Sequence, residues 1–311
     1  MKQSRIKRLL RRAACIGPAN RLLRVLLTSP PLSWLVPRRL VRRIPVTGRI
    51  TFQLPNSREL VLDATGKDRI ATRLYWNGIE GYEPETFRVF RRLLDGTKVF
   101  LDIGANTGIF ALYAAVDDPT RQVYAFEPLP EVAECLRRTV VLNRLSNLWV
   151  EPAAVGDRDG EVTLYVPELT DTFPADTSTR PGFREHTRPI VVPAIRLDSF
   201  VADRNLKGVD LIKVDTESTE PLVLAGGLEL LRRERPFVIC EVLHGRTERD
   251  IEAALRGLSY RFYWMTDAGL VEKTSIEGDS THKHLNYLFA FEGRIQELSA
   301  KGIGMTTPSR M

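Results

Sequence analysis

The sequence predicts an α/β fold, with a mostly parallel sheet covered by helices on both faces. Three observations carry this. Strand and helix signals alternate through most of the 311 residues, the order expected of βαβ units. Three charge-poor runs, 99–103, 209–214 and 237–242, suit strands at the centre of such a sheet. The first of them continues as VFLDIGANTGIF. It passes from a strand through a turn bounded by two glycines into an apolar helix, and in parallel sheets that place faces the ligand crevice.

A hydrophobic content of 43% is enough for one large core or two modest ones. Cys15, Cys135 and Cys240 lie far apart. They give neither a disulfide framework nor a metal spacing, which points to a reducing cytoplasm. Among the four histidines, His282 and His284 are two apart. That is not helical metal spacing, and no structural zinc is expected. The net charge of +6 hides an asymmetry: residues 1–58 hold fourteen Lys or Arg and no acid, leaving net −8 on the rest.

The elements follow in order. Residues 1–48 form a basic arm, RIKRLLRRAA and ANRLLRVLL split by Gly17-Pro18. It reads either as short amphipathic helices on an anionic membrane surface or as a solvated extension. No apolar run reaches the ~18 residues of a spanning helix. An extension, 49–95, begins with RITFQLPNSRELVLDAT, an alternating hairpin turning at Pro55-Asn56-Ser57. A helix starting near Pro84-Glu85 follows, with Phe87, Phe90, Leu93 and Leu94 at helical spacing.

The main domain, 96–295, opens with strand 99–103 and a helix at about 108–116. Strand 122–127, helix 130–143 and strand 147–155 come next. A polar stretch then gives a short hairpin and a long loop, which in a compact domain is usually a functional lid or disordered. The alternation resumes with strand 209–215, the helix PLVLAGGLELLRRE, strand 236–243, the helix ERDIEAALRGL, and strands near YRFYWM and LNYLFAFE. Residues 296–311 are a C-terminal tail. Phe126, Trp149 and Phe237 are expected in the core.

In the turn, Gly104 permits a sharp bend and a close approach, and Gly108 does the same at the mouth of the helix. Asp102 sits beside that turn, and Asn106 lies on it. The dinucleotide pattern G-x-G-x-x-G is missing, because Asn106 stands two after Gly104. A carboxylate at this turn would also repel a pyrophosphate. Glu127 ends the second strand, 19 residues after Gly108, where an acid accepts ribose hydroxyls. Together they ask for a nucleoside bearing an ammonium or sulfonium in place of phosphates. S-adenosylmethionine answers that description.

FLDIGANTGIFALYAA, VYAFEPLPE, LNRLSNLWVEPAAVGDRDGEVTLYV, RLDSFV, DLIKVDTESTEPLVLAGGLELL and RPFVICEVL resemble, in order over residues 85–292, the FkbM-type S-adenosylmethionine-dependent methyltransferases. The resemblance implies the class I methyltransferase (Rossmann-like) fold, a seven-stranded sheet with the last strand antiparallel. It implies a cofactor loop of Asp102, Gly104, Asn106 and Gly108, with Glu127 on the ribose and Ala153-Ala154-Val155 bordering the adenine.

The fourth strand ends Lys213-Val214-Asp215-Thr216-Glu217-Ser218-Thr219-Glu220. The family pattern is Lys-x-Asp-x-Glu-Gly-x-Glu, and Ser218 replaces its glycine. Asp215 and Glu217 could share a proton, bind a divalent metal or raise one another's pKa to form a general base. Lys213 could pair with either, and Glu220 reads as a helix-terminal residue. His244, just past the fifth strand, is a candidate base, and Asn286 a residue that reaches the pocket. The catalytic set is therefore Asp215, Glu217, Lys213 and His244, and no metal ligands are assigned.

The resemblance implies an O-methyltransferase acting on a hydroxyl of a sugar, glycan, lipid or secondary metabolite. It is expected in the cytoplasm, held by residues 1–45 on the inner membrane surface or free of it. The Asn-Pro-Pro-aromatic signature of base methylation is absent after strand four, where DTES stands, so nucleic acid is not an expected partner. The sequence also admits two other readings. One is a cofactor-binding interaction module at the membrane, favoured by Ser218. The other is a nicotinamide-dependent enzyme, disfavoured by the missing glycine.

Overall fold

The computed structural model describes residues 20, 22, 25, 26, 44–167, 173, 177–179 and 187–306. Most of the basic arm and much of the long polar loop lie outside the described residues. So does the expected membrane contact of the arm, apart from those four positions. Among the described residues no helix is long and apolar enough to cross a membrane.

The alternating stretch after the arm forms an antiparallel hairpin of β1 (Thr47–Gln53) and β2 (Glu59–Thr65), closed by Gln53 opposite Glu59. Helix α1 (Arg69–Asn77) follows, capped by the Asp68 side chain, which accepts from the Ala71 amide. The sequence reading assigned no helix here, although Asp68 before Ala71 and Leu74 was a start signal. Helix α2 (Pro84–Leu93) begins with proline in its first turn, where the missing N–H costs nothing.

The main sheet is built from β3 (Val99–Ile103), β4 (Gln122–Phe126), β5 (Leu148–Glu151), β9 (Val209–Val214), β10 (Phe237–Glu241), β11 (Tyr260–Thr266) and β13 (Asn286–Phe291). Two further strands, β12 (Gly269–Lys273) and β14 (Met305–Thr306), extend its edge. The order is β14-β12-β11-β13-β10-β9-β3-β4-β5. Strands β5, β4, β3, β9 and β10 are parallel, and β13 runs antiparallel between β10 and β11. All seven expected strands are present with the last antiparallel, and the sheet exceeds the expectation by two.

Helices α3 (Ile109–Asp117), α4 (Pro130–Leu142), α5 (Leu197–Asp203), α6 (Glu220–Ala225), α7 (Leu228–Glu234), α8 (Glu248–Leu255) and α9 (Ile295–Ala300) complete the fold. The two sheet faces carry separate cores. Phe87, Phe90, Phe100 and Phe110 meet on one face, joined by Leu60 and Leu74 from the N-terminal extension. Leu101, Ile103, Ile212 and Val238 lie on the other. The period of two along β3 sends Phe100 to one face and Leu101 to the opposite one.

Four expectations are corrected. The run 147–155 is not one strand. Pro152 cannot donate to a ladder, so β5 stops at Glu151. Ala154–Val155 (β6) instead joins a small sheet with β7 (Gly160–Pro167) and β8 (Thr187–Ile195). The segment PLVLAGGLELLRRE is two helices, α6 and α7, divided at Gly226–Gly227. A Cβ at Gly226 would lie 1.9 Å from the Gly156 carbonyl oxygen. The tail contains α9, whose Leu298 is fully buried, and β14. Trp149 is no core residue: it is 38% exposed on edge strand β5, stacked on Tyr124.

Candidate functional site

The C-terminal ends of β3, β4 and β9 open into one crevice enclosing about 930 Å³, its mouth included. Gly104, Asn106, Glu127, Ala154, Lys213 and Asp215 all line it. These residues are spread over more than a hundred positions; the parallel sheet brings the ends of β3, β4 and β9 together, and Ala154 comes from β6 of the small sheet.

The β3–α3 turn is fixed by backbone contacts. The amides of Gly104 and Ala105 both donate to the Phe126 carbonyl, at 3.0 and 2.9 Å. Gly104 has φ +77, and a Cβ there would sit 1.8 Å from the Asp215 carbonyl oxygen. The close approach that glycine permits is therefore to the end of β9. Asn106 also adopts a left-handed backbone, φ 51, and Gly108 stands at the N-terminus of α3.

Glu127 faces this turn. Its Oε2 accepts from the Asn106 amide at 2.9 Å and its Oε1 from the Leu129 amide at 2.8 Å. Burial nevertheless raises its pKa to about 7. Two backbone amides do not fully replace the water that an ionised carboxylate loses. Each oxygen keeps a lone pair for a further donor.

Asp102 is placed beneath the turn rather than among the residues that line the crevice. It shares the face of Phe100, under α3, and does not line the crevice. Its Oδ2 accepts from the Ala111 amide at 3.1 Å, in the first turn of α3. Its Oδ1 is buried and has no hydrogen-bond partner among the described residues. Burial raises its pKa to about 6.

At the end of β9, Lys213 Nζ meets Asp215 Oδ2 at 2.8 Å and lies 4.7 Å from the centre of the Phe110 ring. Burial pulls this ammonium toward its neutral form. The carboxylates of Asp215, Glu83 and Asp102 outweigh that and hold its pKa above the ordinary lysine range. Beyond Asp215 the chain takes two successive left-handed residues, Glu217 at φ 53 and Ser218 at φ 79. The Ser218 position thus has the backbone for which glycine is suited, and its buried hydroxyl has no partner among the described residues. Glu220 ties this turn together, its Oε1 accepting from the amides of Thr216 and Ser218 and from the Thr216 hydroxyl. Burial raises its pKa to about 7.

His244 does not join the site. Its ring is 52% exposed, with Nδ1 2.9 Å from the Gly278 carbonyl oxygen, and it does not line the crevice. Asn286 reaches inward, donating to Glu83 at 3.1 Å and to Thr86 at 3.0 Å. Several site residues were missed. Tyr82, between the hairpin and α2, lines the crevice beside Glu83, which burial and the Asp215 charge push upward in pKa. Thr177–Thr179 of the polar loop line it too, and the Ser178 hydroxyl donates to the Glu217 carbonyl at 2.6 Å. Glu241 ends β10 beside Asp215 and Glu217. Only its place at a strand's end could have marked it in the sequence.

Residues 102–262, more than half of the chain, match the methyltransferase FkbM domain. The chain belongs to the FkbM methyltransferase family. S-adenosyl-L-methionine is therefore its cofactor, and the sheet described above is the class I methyltransferase sheet. This FkbM-family chain is 30% identical over 154 residues to the 31-O-demethyl-FK506 methyltransferase FkbM of Streptomyces tacrolimicus, covering 41% of this chain and 58% of that protein. It is 29% identical over 155 residues to the 2-O-methyltransferase NoeI of Sinorhizobium fredii, covering 46% and 62%. The chain thus spans about three fifths of these curated relatives. Among solved structures, the methyltransferase FkbM of Methylobacillus flagellatus KT aligns with a TM-score of 0.42 at 15% identity, covering 63% of this chain and 44% of that one.

Proposed function

We propose that this FkbM-family chain transfers a methyl group from S-adenosylmethionine to a hydroxyl oxygen of a sugar, glycan, lipid or secondary metabolite. The observation that carries the reading is the pairing, in one crevice, of the backbone-held Glu127 carboxylate with the Lys213–Asp215 ion pair. The named relatives, a 31-O-demethyl-FK506 methyltransferase and a 2-O-methyltransferase, support oxygen as the acceptor atom.

The residues present fit the cofactor. Glu127 has lone pairs left for the two ribose hydroxyls, and Thr107 lines the crevice with a buried hydroxyl that has no partner among the described residues. Phe126, Ala154, Val155 and Leu164 give an apolar slot beside Glu127 for the adenine. When bound, S-adenosylmethionine supplies an electrophilic methyl carbon on a sulfonium.

The protein's own part is then to place the acceptor and take its proton. Lys213 cannot be the base, because its neighbours keep it protonated. It holds Asp215 in place through their ion pair, and Asp215 with Glu217 forms the proton-accepting pair at the crevice wall. Tyr82 and Ser178 close the acceptor side and narrow the access of water.

The exposed side chains of Leu22, Val25 and Leu26, spaced i, i+3 and i+4 on the arm, support peripheral binding to an anionic membrane. Turnover to S-adenosylhomocysteine with a panel of hydroxylated acceptors tests the proposal. A protein that binds the cofactor and methylates none of them, while methylating amines, overturns the choice of oxygen.

A further inference from the structure

Glu241 is 8% exposed, and its Oε2 is buried without a hydrogen-bond partner among the described residues. It ends β10, whose Cys240 pairs with Val214 of β9, so the ends of β9 and β10 lie side by side. One oxygen each from Asp215, Glu217 and Glu241 fall within 4.8 Å of one another. Such a spacing brings three carboxyl groups together at the wall of the crevice.

A charge inventory sharpens the point. Lys213 is already engaged with Asp215 Oδ2. Among the described residues, Glu241 Oε2 meets neither a cation nor a donor. A buried carboxylate in that position is satisfied by a proton or by a ligand from outside.

We infer that Asp215, Glu217 and Glu241 form a site for one hard divalent cation, of the magnesium or manganese class, on the acceptor side of the crevice. Three carboxylate oxygens from two adjacent strand ends suit such an ion, which takes oxygen ligands and keeps some positions for water. Asp215 and Glu217 line the crevice, so those remaining positions open toward the acceptor. An acceptor hydroxyl bound there would be held in place and made more acidic. Asp215 keeps one oxygen for Lys213. The inference rests on the proposed methyltransferase reading for its purpose but not for its detection. It goes beyond the expectation from the sequence, which left a divalent metal on Asp215 and Glu217 as one of three alternatives and assigned no ligands.

The test is titration of the full-length, metal-stripped protein with manganese(II), the free ion being followed by electron paramagnetic resonance. Wild type is expected to bind one ion per chain. Glu241→Gln and Glu217→Gln are each expected to weaken that binding by about tenfold or more. Glu217, on a partly exposed turn, serves if the core variant fails to fold. Calorimetry with S-adenosylmethionine on the same samples should show little change in cofactor affinity. Wild type that binds the cofactor but no manganese overturns the site, as does a folded Glu241→Gln with undiminished manganese binding. Failure to bind S-adenosylmethionine at all would instead sink the methyltransferase reading and leave the ion measurement standing.

Discussion

The Asn106 amide donates to Glu127 Oε2 at 2.9 Å, while Leu129 holds the other oxygen. The tip of β4 and the turn after β3 are thereby one unit. The carboxylate is aimed before any ligand arrives, so little ordering remains to be done on binding.

Replacing Glu127 with Gln keeps the shape but puts an amide donor against one of the two backbone N–H groups. Loss of charge-assisted bonds of about 1.5–3 kcal/mol should weaken S-adenosylmethionine binding roughly 10- to 100-fold. Isothermal calorimetry would measure this, and unchanged affinity would remove Glu127 from the cofactor site.

The same carboxyl predicts a pH dependence. Its native pKa of about 7 lies above the ordinary 4.5, so the folded state binds the extra proton between those values. Stability due to this group is greatest below pH 4.5 and falls as pH rises to about 7. The loss is on the order of 3 kcal/mol. Wild type should thus lose ground to Glu127→Gln between pH 5 and pH 8 in urea denaturation. Cofactor affinity should run the opposite way, rising with pH up to about 7, because ribose hydroxyls donate to the ionised form.

Ser218 sits at φ 79 with an unsatisfied buried hydroxyl among the described residues. Ser218→Gly relieves left-handed strain of about 1–2 kcal/mol, offset in part by the greater freedom of the unfolded glycine chain. A net gain of about 1 kcal/mol is expected in chemical denaturation, with turnover retained. A loss of stability would show that the hydroxyl has a role of its own.

Gly104→Ala should do the reverse. Its Cβ would collide with the Asp215 carbonyl oxygen, a backbone atom that cannot turn aside. Added to the positive φ, this should cost about 3 kcal/mol or more and abolish cofactor binding. Soluble protein of wild-type melting temperature would contradict the close contact of β3 with β9.

Deleting residues 1–45 removes Leu22, Val25 and Leu26, which are exposed. Sedimentation with anionic liposomes should be lost, and cofactor affinity kept. A truncated protein that still sediments would rule out the arm as anchor.

Local signals in the chain were enough to single out Gly104, Asn106 and Glu127, which line one crevice. The turn from Gly104 to Gly108 and the acid ending the next strand are written in a short stretch, because turns and strand ends depend on nearby residues. Asp102 shows the first limit. Its side-chain direction follows from the period of two that it shares with Phe100, and it points under α3 instead of into the crevice. His244 shows the second: standing just past a central strand, it turned outward to Gly278.

By itself, the sequence determined the α/β order, the position of the parallel strands and the glycine turn after β3, all set by hydrophobic period and glycine placement. Tertiary structure alone decided that Glu83, Ser178 and Glu241 meet Asp215 and Glu217. They come from an N-terminal turn, a long loop and another strand's end, and no short-range pattern encodes that meeting. Their closeness arises only when β9 and β10 pair, the extension packs on one face, and burial raises the energy of every carboxylate left without a partner.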